Sequence, residues 1–85
     1  MNLSQAEKIR IYVLERKIEP ARQRGDKLIT IFAREIHAEM HLNAPIQAVC
    51  TAIDHDEFER FANVQLLERS AQKRSTKSKW VFAIQ

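Results

Sequence analysis

The apolar residues of this chain change their period part-way along it. Ile46, Val49, Cys50 and Ile53 stand at i, i+3, i+4 and i+7, the spacing of one buried helical face. Near the C-terminus the pattern alternates, with Trp80, Phe82 and Ile84 on one side and Val81 and Ala83 on the other. Helices followed by a strand pair within 85 residues leave room for one α+β domain, residues 1–85, and not for a second core.

The punctuation between these segments sets the element order. Ser4-Gln5-Ala6-Glu7 is a capping box, so a first helix is expected over 5–18. Pro20 lacks an amide hydrogen and disfavours helix at Glu19, which predicts a break or kink there. A further turn follows, and Gly25, the only glycine, supplies a left-handed stop. Leu28 to Phe32 is short and rich in β-branched residues, and it predicts a strand. A second helix is expected over 34–41, with Ile36 and Met40 inward, and a third over 45–53 with Pro45 as its first residue. Asp54-His55-Asp56 predicts a break with a new N-cap, and a short fourth helix over 57–62 would turn Phe58 and Phe61 inward. Strands are expected over 64–70 and 79–84. The polar, basic stretch 71–78 between them predicts a long hairpin loop.

Charge is distributed unevenly along this order. Residues 1–68 carry 9 Lys/Arg against 11 Asp/Glu, whereas residues 69–85 carry Arg69, Lys73, Arg74, Lys77 and Lys79 and no acid. A positive field gathered at one end points to a polyanion. Cys50 is the only cysteine, so an internal disulfide, a four-Cys zinc site and a CxxC redox motif are excluded. A reducing compartment fits that usage. The N-terminus has no apolar signal-peptide core, and no apolar run approaches a membrane span, so the expected location is cytoplasmic with no membrane partner.

Helix, strand, helix, tight turn, helix and hairpin, in that order, resemble the winged helix-turn-helix superfamily. More closely the chain is similar to a small uncharacterised prokaryotic winged-helix family. The residues that carry this likeness are Ile18-Glu19-Pro20-Ala21-Arg22 with Gly25, Ile29-Thr30-Ile31 with Glu35-Ile36-His37, and Pro45 with Val49-Cys50-Thr51-Ala52. The resemblance spans nearly the whole chain. It implies a three-helix core with a C-terminal β-hairpin wing, duplex DNA binding and transcription regulation.

The candidate contacts follow from residue chemistry. Lys73, Arg74, Lys77 and Lys79 are interleaved with Ser75, Thr76 and Ser78, giving cations and hydroxyl donors for phosphate oxygens. In the resembled fold this loop is the wing. On the third helix Gln47, Ala48, Thr51 and Asp54 face outward once the apolar stripe faces inward. Gln47 can pair with adenine, and Thr51 can meet a thymine methyl or a phosphate. Small Ala48 and Ala52 would allow close approach. Arg34, at the start of the second helix, would add a phosphate contact. No Lys or Arg lies between Met40 and Thr51, and Asp54, Asp56, Glu57 and Glu59 follow, so acids would oppose phosphate near this helix.

Other chemistries lack the residues they need. His37 and His41 are four apart, but Ala38 stands where a zincin needs Glu, and no third ligand is identifiable. Cys50 lies on the apolar stripe with no cationic neighbour to lower its pKa, which predicts a buried, inert thiol. One glycine cannot build a phosphate-cradling loop, and the acids of 54–59 read as helix capping. The expectation is a non-catalytic domain with no metal, no cofactor and no small-molecule substrate.

The first helix suggests a second surface. Leu3, Ile11, Leu14, Ile18 and Ala21 lie on one side and Ala6, Ile9, Tyr12 and Val13 on another, a wider apolar arc than one core contact uses. The alternative reading is therefore a protein-interaction or dimerisation module in which Ile11, Leu14 and Ile18 meet a partner or a second copy. RNA binding would draw on the same charges.

Overall fold

Two amides that helix geometry leaves open at an N-terminus are satisfied locally at Ser4. Its hydroxyl accepts the Glu7 N–H at 3.1 Å, and the Glu7 carboxylate accepts the Ser4 N–H at 3.0 Å. In the computed structural model, which describes residues 2–70 and 77–85, the helix that starts here, α1, is Gln5–Val13.

The break expected at Pro20 is instead a change of winding. Leu14–Ile18 form a π-helical turn, and α2, Glu19–Arg24, continues the same helical path. In an α-helix the Pro20 ring would press on the carbonyl four residues back and leave it without a donor. In the wider turn the Glu19 N–H reaches the Leu14 carbonyl, one residue further back than in an α-helix, and the chain passes the proline while remaining helical. Gly25, at φ 82°, then stops the run. Its N–H donates to Arg22 O and the Asp26 N–H donates to Ala21 O, both at 3.0 Å, the paired bonds of a Schellman cap.

The next elements are β1 (Leu28–Phe32), α3 (Ala33–Glu39), α4 (Ile46–Asp54) and α5 (Phe58–Ala62), followed by β2 (Val64–Arg69) and β3 (Lys79–Ile84). Pro45 is the extended N-cap of α4, at ψ 158°, rather than its first helical residue. Its fixed φ suits either place, and the extended ψ lets the turn from α3 enter at an angle. All three strands expected from the sequence form one antiparallel sheet in the order β1-β3-β2. Trp80 pairs with Ile31 on one side and Arg69 on the other, and a bulge interrupts β2 between Leu66 and Glu68.

One face of this sheet and the inner faces of the helices share a single core. Trp80, Phe82, Phe58, Ile31, Ile36, Val49, Cys50 and Ile53 are buried in it. Each of the large side chains contributes about 1.5–3 kcal/mol by leaving water. The Phe58 and Phe82 rings tilt together at 5.5 Å between centroids. Phe61, expected inward, is 47% exposed. A five-residue helix turns only one edge to the core, and Phe58 and Ala62, four apart, occupy it. Among the described residues no helix is long and apolar enough to cross a membrane.

Candidate nucleic-acid interface

The outward face of α4 is built by elimination. Val49, Cys50 and Ile53 are buried and Ile46 packs half-buried against them, which leaves Gln47, Thr51 and Asp54 exposed along one stripe. Ala52 is not part of that face: it is fully buried, and its carbonyl accepts the Arg10 Nε–H at 2.8 Å. Close approach of a ligand backbone would rest on Ala48, which is half-buried.

Asp54 neither caps α5 nor stands as an open negative charge. Its Oδ1 accepts from Arg69 Nε at 2.7 Å and from Trp80 Nε1 at 2.7 Å, and its Oδ2 accepts from Arg69 Nη2 at 2.8 Å. The Arg69 guanidinium also lies 5.2 Å from the Trp80 ring centroid. Hydrogen bonding to the carboxylate raises the Arg69 pKa further, so the guanidinium keeps its charge. One carboxylate thus ties the end of α4 to both strands of the hairpin and satisfies a fully buried indole. A buried tryptophan announces its need for an acceptor, but partners 15 and 26 residues away carry no local signal. Two of the acids beyond Asp54 are engaged too, while Asp56 is exposed. Glu57 pairs with Arg60 at 3.4 Å, and Glu59 accepts the Leu66 N–H at 2.6 Å.

The sheet register gathers the cations. Phe32 pairs with Lys79, and the Ala33 N–H donates to Ser78 O at 3.0 Å. Arg34, at the start of α3, therefore lies at the same end of the sheet as Lys77 and Lys79, and all three are exposed. The Ser70 N–H donates to Lys79 O at 3.0 Å, so β2 and β3 close together at that end, where Arg69 holds Asp54. Thr51 stands one helical turn before Asp54, and Gln47 a turn further back. Lys73 and Arg74 lie outside the described residues.

The other sequence candidates divide. His37 Nε2 donates to Ala44 O at 2.7 Å, which fastens the turn between α3 and α4. Cys50 is buried in the core as a free thiol. Ile11 and Leu14 are half-buried, but Ile18 is fully buried and offers no surface to a partner. The cause is the π turn. Its extra residue moves the inward stripe that starts at Ile9 and Val13 onto Ile18 and Ala21, so two stripes expected on different sides become one. Ile11 instead joins Glu7, Arg10, Glu57 and Phe61 around a shallow cleft of about 210 Å³ between α1 and α5.

No protein-family model, curated protein or solved structure matches this chain.

Proposed function

We propose that this domain is a non-catalytic, winged-helix binder of duplex DNA, serving transcription regulation. In that arrangement α4 lies at the major groove, and the basic stretch 71–79 contacts phosphates as the wing. The observation that carries the reading is the meeting of Arg34, Lys77 and Lys79 with the Asp54 end of α4 at one end of the sheet. The helices ahead of a β-hairpin and the antiparallel sheet order β1-β3-β2 support the winged-helix reading. Three of the four acids that would repel phosphate, Asp54, Glu57 and Glu59, are tied to Arg69, Arg60 and the Leu66 amide, which lessens the objection raised by composition.

A phosphate contact releases counterions, and each adds about 0.9 to the slope of log K against log salt. Fluorescence anisotropy with a random duplex should therefore show binding that weakens steeply with salt. Replacing Lys73, Arg74 and Lys77 together by Ala should flatten the slope by roughly 2–3 units. Gln47→Ala and Thr51→Ala should leave the slope alone and cost about 1–3 kcal/mol per lost base contact, only at a preferred site. A triple variant that binds like the parent at every salt concentration rejects the reading. The alternative, a protein-interaction module, would then take its place. Its support is the Ile11–Phe61 cleft, with Arg10, Glu7 and Glu57 at its rim.

A further inference from the structure

The two edges of the sheet are treated differently. On the β2 edge the Leu66 N–H is taken by Glu59, a bulge breaks the ladder between Leu66 and Glu68, and Glu68 and Arg69 add charge. These are the devices by which proteins keep an edge strand from pairing with another chain. The β1 edge carries none of them. Leu28-Ile29-Thr30-Ile31-Phe32 is regular over its whole length, without charge, proline or bulge.

The register says which backbone groups face outward along β1. Lys27 O accepts from Ile84 N–H and Ala33 N–H donates to Ser78 O, so the odd-numbered residues of this stretch bond to β3. In an antiparallel ladder the residues between them point their N–H and C=O the opposite way. Those residues are Leu28, Thr30 and Phe32, and all three are exposed, Leu28 at 55% and Phe32 at 38%.

We propose that β1 is a homodimerisation edge, on which a second copy of this chain pairs antiparallel about a two-fold axis at Thr30. In that register Leu28 faces the second copy's Phe32, Thr30 faces Thr30, and Phe32 faces Leu28. Every pair joins outward-pointing groups to outward-pointing groups, with two hydrogen bonds in each. The strand thus matches itself in hydrogen bonding and in side-chain size. The result is a six-stranded sheet with the closed β2 edges outermost. The site differs from the first-helix face suggested by composition, and it stands whether or not the domain binds nucleic acid.

Thr30 gives a clean test, because its N–H does not serve the fold. Thr30→Pro removes an outward amide and leaves the bonds to β3 intact. Thr30→Lys places two ammonium groups across the axis. Sedimentation equilibrium from micromolar to millimolar chain should show a mass rising from 9.9 kDa towards twice that value. Thr30 amide exchange should slow as concentration rises. Thr30→Pro should weaken association by roughly 10- to 100-fold with the circular dichroism spectrum unchanged. Where Thr30→Pro fails to fold, Thr30→Lys decides. A single-chain mass at every concentration overturns the proposal, and so does a dimer that a folded Thr30 variant leaves intact. A dimer lost in Ile11→Glu but kept in Thr30→Lys would assign the contact to the first helix instead.

Discussion

Among the described residues, three with positive φ end helices, and they differ in how visible they are. Gly25 stands at φ 82°, His41 at 52° and Asn63 at 56°. Only Gly25 is readable as a stop, because glycine alone reaches that region without cost. A Cβ added at Gly25 would meet nothing within 4 Å, so a substitution there isolates backbone strain from packing. Gly25→Ala should destabilise by about 1 kcal/mol, seen as a lower urea midpoint with an unchanged m-value. An unchanged midpoint would mean that the α2–β1 turn relaxes at no cost. Cys50 was equally legible, since a helical apolar stripe fixes its environment. Asp54 was not, because a carboxylate that bonds an indole and a guanidinium across the fold looks in sequence like any acid at a helix end.

At the level of elements, the strands Leu28–Phe32 and Lys79–Ile84 could be read to the residue, because alternation and β-branching report directly on a half-buried strand. The path through Pro20 could not. A proline signals that the α register fails, but not whether the chain turns away or widens by one residue, and packing of Ile18 and Ala21 favours the latter. A clamp holds the resulting rod against α3. The Tyr12 hydroxyl donates to Glu39 Oε1 at 2.6 Å, and Lys17 Nζ donates to Glu39 Oε2 at 2.8 Å. The Lys17 bond, then the Tyr12 bond, holds the Glu39 carboxyl below its ordinary 4.5. The carboxylate in turn raises the Tyr12 phenol above 10.0. A depressed carboxyl stabilises the fold above its unfolded pKa and loses that stabilisation as pH falls through the folded value. A raised phenol stabilises below its unfolded pKa and loses that as pH climbs through the folded value. Glu39→Gln should therefore flatten the melting temperature against pH at both limbs, below 4.5 and above 10.0. A profile parallel to that of the parent at both limbs would show that the clamp carries no linkage.

Across the whole molecule, stability and charge are coupled at Asp54. The chain gathers its net positive charge after Glu68, yet the first cation there, Arg69, is held by Asp54, stacks on Trp80 and bonds Ser70 O at 3.0 Å. The side chains of Arg69 and Asp54 are 22% and 30% exposed, so solvent screens the pair only in part. Composition revealed the field but not this restraint upon it, because pairing depends on a fold that brings residue 54 to residue 69. Asp54→Asn separates the two roles. The amide oxygen can still accept the Trp80 N–H, so the indole stays satisfied while the ion pair is lost. Stability should fall by about 1–2 kcal/mol in urea unfolding. If the basic end meets duplex DNA as proposed, the freed guanidinium adds a phosphate contact, and the slope of log K against log salt should steepen by up to about 0.9. Binding at low salt would then strengthen in a variant that is less stable. A lower stability with an unchanged slope would mean that Arg69 serves the fold alone, and that the phosphate contacts belong to the cations after it.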